Sequence, residues 1–504
     1  MSAEAPNILL LMTDQQRYDS LGCYGFEAGH TPNLDRLASE GVLFERCYVN
    51  NPVCTPSRAS MLTGKHLPGH GVYRLYDNLP DDEVLVTERL QGLGYQTALF
   101  GKLHVSSREF EHYRRHPHDG FEIHEQCMEG TLQMEAPLQA YARWLEKEHP
   151  GFYARLFEQR RALKNVPRQY HMTRWAVDRT VDFIRNRRDG RPFFAMTSIF
   201  DPHSPYEDYP PEMADLVDAA RIPGPLRFED EFAGKPPDLL REGCYSQLGD
   251  IEDMSAEEIA RMRFGYHASL AFMDQEFGRL LELLEVEGLA EDTLVIFCSD
   301  HGDMLGDHGL LAKGAFFYDP CTRVPLILRL PAGRCGGGGL RVPGLVQLHD
   351  LAATVLDAAG MSARMVAGLM PEARSLLPLA GGERQTVRDA AICCYRNSGP
   401  SLEKNADPYW DPPINCTMLR EERYKLNLWH GPEGAIDRRP EGELYDMESD
   451  PLEANNLWAG AEHRAVRERM TRRLLDWLAA NEGPGRASRG GECRPARKLD
   501  DGPK

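Results

Sequence analysis

The sequence predicts an α/β fold: a large, mainly parallel sheet sandwiched by helices, with a smaller C-terminal α+β unit. Three observations carry this reading. Short apolar runs without polar alternation, such as NILLLM at 7–12, have the pattern of strands buried on both faces. Amphipathic helices separate these runs, which is how parallel sheets are built. After about residue 375 the pattern changes to short strands in close succession.

The first strand, 7–12, is bounded by Pro6 and the polar TDQQR. TPNLDRLASEG then reads as a helix with Thr31 as its cap, Pro32 in the first turn and Gly41 as its stop. FFAMTSIF (193–200), TLVIFCSD (293–300) and VPLILRLP (324–331) have the same buried-strand pattern. Between them, Met172, Trp175, Val181 and Ile184 share one helix face, and Ser255 with Glu258 makes a capping box opening a helix over 255–287. LHDLAATVLDAAG (348–360) is a further helix ended by glycine. In the C-terminal part, AAICCYR, INCTMLR and RYKLNLW read as strands and ELYDMESDPLEANNL as a turn-rich segment. A helix over 461–480 follows, with Val466, Met470, Leu474 and Trp477 on one face. The expected division is 1–375 for the main unit, 376–482 for the smaller one, and 483–504 for a Gly-, Arg- and Pro-rich tail, flexible or an oligomer arm.

Composition restricts the function classes. The formal charge is −19, from 58 basic and 77 acidic side chains, which opposes binding to nucleic acid or an anionic membrane. An anionic substrate therefore needs a local basic pocket. The apolar run at the N-terminus has no basic region before it and is too short for a signal peptide or membrane span. The 12 cysteines include one adjacent pair and no CxxC, the pattern of small buried hydrophobes in a cytoplasmic chain. GRCGGGG (333–339) is not a phosphate loop, because no GK[ST] follows it.

Three strands end in polar clusters, and ligands of such sheets bind beyond the carboxyl ends of the strands. The first delivers Asp14 and Gln15, another Asp201 and His203, and a third Asp300 and His301. Asp14, Gln15, Asp300 and His301 form a natural set for one divalent ion, with the imidazole favouring manganese over calcium. Arg58 lies one helical turn after Cys54, Lys102 and His104 sit in GKLH, and Lys313 follows the Asp-His pair. Cations gathered around a metal would bind a tetrahedral oxyanion. Cys54 stands at a helix start, where a thiol becomes more reactive.

CTPSRASMLTGKH resembles the signature of type I sulfatases, members of the alkaline phosphatase superfamily, in which the motif cysteine is oxidised to Cα-formylglycine. The likeness extends along the chain. PNILLLMTDQQRYDSLGCYG and TPNLDRLASEGVLFERCYV resemble the family's opening segments; GKLH, DPHSPY, SDHGDMLGDHGLLAKG, TRVPLILRLP and ELYDMESDPLEANNL follow in the family's order. Two departures stand out. Many sulfatases have Asp-Asp and Asp-Asn where this chain has Asp14-Gln15 and Asp300-His301, a variant also similar to phosphonate monoester hydrolases. Lys102 and His104 are, however, the sulfatase-like choice.

The resemblance implies an arylsulfatase-like hydrolase of sulfate monoesters, with phosphonate monoester or phosphodiester hydrolysis as the alternative. Its cofactors would be formylglycine from Cys54, made by a maturation enzyme, and one divalent ion, manganese or calcium, held by Asp14, Gln15, residue 54, Asp300 and His301. Arg58 would hold the hydrated aldehyde, and Lys102 and Lys313 would spread the charge. His203 with Lys313 would protonate the leaving alcohol, and His104 would deprotonate the second hydroxyl. Asn78 is expected to line the same pocket. The partners implied are a small-molecule ester and further copies of the chain in a homo-oligomer.

Overall fold

Two faces of one central sheet organise the protein, and the alternation of side chains along its strands explains why. The computed structural model describes residues 5–187, 190–239, 251–332, 338–398, 410–431 and 441–481. The expected C-terminal tail and most of the glycine-rich loop lie outside the described residues. The main sheet comprises β1 (Asn7–Thr13), β2 (Val42–Tyr48), β3 (Gln96–Gly101), β4 (Ile123–Gln126), β5 (Phe193–Ser198), β6 (Thr293–Ser299), β7 (Arg323–Val324), β8 (Leu326–Arg329) and β9 (Leu340–Gln347). They run in the order β4-β3-β5-β1-β6-β8-β2-β7, with β9 paired to β2. The sheet is mixed but parallel through its middle: β3, β5, β1 and β6 pair in parallel, whereas β8 is antiparallel to both β6 and β2.

All seven residues of β1 are buried. Ile8, Leu10 and Met12 enter one core with Met61, Leu62 and Leu351. Leu9 and Leu11 enter the other with Leu34, Leu37, Trp175 and Phe277. The helices therefore divide between the faces: α2 (Cys54–Thr63) and α5 (Asp350–Ala358) on the first, α1 (Pro32–Glu40), α3 (Met172–Asn186) and α4 (Ala256–Val286) on the second. Each fully buried Leu contributes about 1.5–3 kcal/mol by leaving water. No helix among the described residues is long and apolar enough to cross a membrane.

The local expectations hold with three corrections. The Ser255–Glu258 capping box is present. Thr31, however, does not cap α1 with its side chain. Its hydroxyl accepts from Gly22 N, and the helix is capped from α4, where the Asp274 carboxylate accepts from Asn33 N and Leu34 N at 3.1 and 2.8 Å. The single strand expected over 324–331 is divided between β7 and β8 around Pro325, which has no N–H for a ladder. The start of the expected turn-rich segment, 443–446, belongs instead to a strand, β13 (Glu441–Asp446). Leu444 and Tyr445 are buried there, opposite Leu426 and Lys425 of the neighbouring strand, giving a packing face that the short pattern did not reveal.

β10 (Ala390–Arg396), β11 (Asn415–Glu421), β12 (Tyr424–His430) and β13 form a second, antiparallel sheet in sequence order. Against it α6 (Arg464–Asn481) buries Met470 and Leu474 among Ile392, Leu426, Leu428 and Leu444. This sheet supports the rim of the first. Lys425, fully buried on β12, pairs with Asp319 at 3.0 Å and Glu453 at 2.8 Å. The adjoining Pro320 and Cys321 carbonyls accept from Asp303 N and Gly302 N.

Candidate active site

Strand register creates the site. β1 and β6 pair in parallel up to Thr13 opposite Ser299, so Asp14 and Asp300 leave the sheet side by side. On the other flank Met12 lies opposite Ser198 and Ser198 opposite Gly101, which brings Lys102 to the same rim. Gly101 has φ +109°, and a Cβ there would stand 1.9 Å from Ser198 O, so only glycine lets β3 turn out at this point.

Helix α2 closes the site from beneath. Val53 is extended, its N–H held by Asn51 Oδ1 at 2.7 Å, and the helix begins at Cys54. All ten of its residues are buried, which is why its hydrophobic pattern is weak although its position is central. Arg58, fully buried one turn on, bridges the two carboxylates: Nε donates to Asp300 Oδ2 at 2.6 Å and Nη2 to Asp14 Oδ2 at 3.0 Å. Lys102 Nζ reaches Asp14 Oδ2 at 2.5 Å. Burial opposes ionisation of Asp14, but Lys102 and Arg58 outweigh it and hold its carboxyl well below the usual range.

Asp14, Cys54, Asp300 and His301 bring one ligand atom each to within 4.8 Å of one another, and all four are buried. His301 Nδ1 lies 3.0 Å from the carbonyl of Gly302, to which it donates, leaving the lone pair on Nε2. That nitrogen sits 3.8 Å from Asp14 Oδ1 and 3.7 Å from Asp300 Oδ1. Both His301 Nε2 and Asp14 Oδ1 are buried without a hydrogen-bond partner. Unsatisfied acceptors facing each other are costly unless a cation lies between them, so this donor set fits a divalent ion. Gln15, at φ +65°, donates its side-chain N–H groups to Asp303 Oδ2 and Tyr206 Oη, and its Oε1 accepts from Lys313 Nζ at 2.5 Å.

Above Cys54 lies a cavity of about 50 Å³ lined by Lys102, His104, His203 and Lys313 on its polar side and by Leu75, Tyr76, Met128 and Phe200 on its apolar side. Arg108 and Glu129 complete the wall. Three cations, Lys102, Arg108 and Lys313, line the cavity against one carboxylate, Glu129, so a strongly acidic protein holds a pocket that attracts anions. Burial raises the Cys54 thiol, but Lys102 and Lys313 prevail and bring it down to about 7. His203 donates through Nδ1 to Ser204 O at 2.9 Å, and its Nε2 lies 2.8 Å from Lys313 Nζ. The Thr55 hydroxyl donates to Leu75 O at 3.0 Å and so accepts from His104 Nε2, also at 3.0 Å, which leaves the His104 Nδ1 lone pair free. Burial, reinforced by neighbouring lysines, holds both histidines neutral by pushing their basicity well down.

Cys54, Arg58, Lys102, His104, His203, Lys313, Asp14, Gln15, Asp300 and His301 thus meet at one rim. Asn78 does not: its side chain is exposed and its Oδ1 accepts from Ser107 N. Sequence reasoning put Asp303 in the polar cluster after β6 without giving it a role, and missed Tyr206, Arg108 and Glu129. Only Asp303, two residues after His301 in the same motif, carried a local signal.

A family model described as Sulfatase matches residues 6–361, and one described as N-sulphoglucosamine sulphohydrolase, C-terminal, matches 306–480. An arylsulfatase of Clostridium perfringens is 30% identical over 493 residues, covering 95% of each chain. An N-acetylglucosamine-6-O-sulfatase of Bacteroides thetaiotaomicron is 27% identical, covering 94% of this chain and 86% of its own. Among solved structures, the phosphonate monoester hydrolase of Agrobacterium radiobacter superposes with a TM-score of 0.77 at 25% identity, covering 94% of this chain and 96% of that one.

Proposed function

The chain belongs to the sulfatase family and is a sulfuric ester hydrolase, and from that premise we propose that it cleaves small-molecule sulfate monoesters with formylglycine made from Cys54 and one divalent ion. The observation that carries this reading is Cys54 at the head of a buried helix, in the sequence CTPSR, clustered with Asp14, Asp300 and His301. Those three residues, with Gln15 and residue 54, would hold the ion, and manganese suits the mixed oxygen and nitrogen donors better than calcium. Together the hydrated aldehyde and the ion supply an oxygen nucleophile near neutral pH and a route for releasing sulfate.

The chain's own groups do the rest. Lys102 and Lys313 bind the sulfate oxygens and neutralise charge that grows in the transition state. Arg58 keeps Asp14 and Asp300 aligned beside residue 54. Lys313 feeds a proton towards His203 Nε2, from which it passes to the departing alcohol oxygen. His104, held neutral with its Nδ1 lone pair free, takes the proton from residue 54 when sulfate leaves. The apolar wall of Leu75, Tyr76, Met128 and Phe200 faces the alcohol and excludes water.

Mass spectrometry of the tryptic peptide CYVNNPVCTPSR from protein matured in its host is expected to show aldehyde at Cys54. Cys54→Ala should fold normally and lose turnover on aryl sulfates; full activity in protein carrying an unmodified thiol would overturn the reading. A second reading, hydrolysis of phosphonate monoesters or phosphodiesters at the same site, is favoured by the Asp14-Gln15 and Asp300-His301 pairs and by similarity to the phosphonate monoester hydrolase. The ratio of kcat/KM for aryl sulfate and aryl phosphonate esters decides which activity is primary.

A further inference from the structure

The loop after β3 carries Lys102 and His104, and charges of opposite sign grip its backbone. From one side Arg58 Nη1 donates to the Lys102 carbonyl at 2.9 Å. From the other, Glu111 gathers N–H groups. Its Oε2 accepts from His104 N at 2.8 Å, and its Oε1 from Val105 N at 2.7 Å and Ser106 N at 2.8 Å. Gln126 Nε2, at the end of β4, adds a bond to Oε2 at 3.1 Å. Glu111 is 2% exposed, and among the described residues no ion pair involves it. Four N–H donors stand where a buried carboxylate would otherwise need a cation.

Three successive amides can converge on one carboxylate only if the chain curls tightly, and His104 accordingly has φ +59°. That left-handed conformation is strained for a non-glycine residue and persists only where neighbours enforce it. Remove the carboxylate and three buried N–H groups lose their acceptor, while His104 is released towards ordinary dihedrals. Its ring would then leave Thr55, the residue after Cys54.

We propose that Glu111 is a positioning residue for the reaction: its carboxylate holds the loop so that the His104 imidazole stays against Thr55, beside residue 54. The inference rests on the proposed role of His104 as a base. Glu111→Gln keeps the shape but replaces one acceptor oxygen with a donor that faces other donors.

The test is a double-mutant cycle in the matured enzyme with an aryl sulfate at pH 8, above the value of about 7 to which burial lifts the Glu111 carboxyl. His104→Ala, Glu111→Gln and the double variant are compared with the parent for kcat and KM. E111Q is expected to lower kcat by about 10- to 100-fold, the scale of an ångström-sized misplacement, and to change KM little. The double variant should be no slower than H104A alone. Losses that multiply would show that Glu111 does not act through His104 and would overturn the inference while leaving the base intact. A near-parental kcat in H104A would overturn the base role, and the inference with it. Should E111Q fail to fold, Glu111→Asp, which keeps the charge but cannot reach all three amides, enters the same cycle with the same two outcomes.

Discussion

Arg58 shows how much one side chain can decide. It is wholly buried, and its charge is balanced by Asp14 and Asp300 across a gap between two strand ends. Truncating it leaves two buried carboxylates without their shared cation, a change that typically costs 3–5 kcal/mol. Arg58→Ala should therefore lose roughly 3–5 kcal/mol in urea unfolding with chelator present. It should recover part of this when a divalent ion is added, because the ion replaces the missing charge. A variant as stable as the parent in chelator would refute the shared-cation account. The sequence placed Arg58 one turn from Cys54, but only the structure shows both of its partners. Gln15 and His104 teach the same lesson: nothing local marks either as left-handed, because contacts from other segments hold them there.

At the scale of elements, the helix over 32–40 was legible from its Pro, its apolar spacing and Gly41, while its cap was not. The cap is Asp274, some 240 residues later on α4, where burial outweighs its backbone hydrogen bonds and pushes its carboxyl up to about 6. Asp274→Ala removes acceptors from the N–H groups of the second and third residues of α1, and caps of this kind are worth about 1–2 kcal/mol. That loss should appear in unfolding experiments with kcat unchanged, since α1 lies on the face of the sheet away from Cys54. A fall in kcat without loss of stability would contradict this assignment. Strands were read better than caps, because a run such as NILLLM is fixed by double-sided burial and needs no named partner.

For the whole molecule, acid lability follows from buried histidines. Burial pushes His70 and His267 down to about 3, and His124 and His430 down to about 4. In the unfolded chain these imidazoles titrate near pH 6.5, so below that pH the unfolded state holds more protons and stability falls as pH falls. Glu111, raised to about 7, and Asp274, raised to about 6, act in the opposite sense, since burial makes the native state hold their protons. Between about pH 4.5 and 6 the four histidines outweigh the two carboxyls by roughly two protons, or about 3 kcal/mol per pH unit. The melting temperature should drop steeply from pH 6 to 5; a flat profile would mean that these histidines are charged in the native state.

By itself the sequence determined the layered α/β architecture and the strands that end in polar clusters, and it nominated the set Asp14, Gln15, Cys54, Arg58, Lys102, His104, His203, Asp300, His301 and Lys313. These are legible because burial pattern, helix-start chemistry and residue type are local properties. Tertiary structure alone decided that Thr13 pairs with Ser299, that one guanidinium serves two carboxylates, that Asp274 caps α1, and that Glu111 gathers the amides of the His104 loop. The physical reason is that register and long-range hydrogen bonds are set by how whole faces pack. The second Glu of EFEHY, Glu111, carries no local sign of the three N–H groups it will meet.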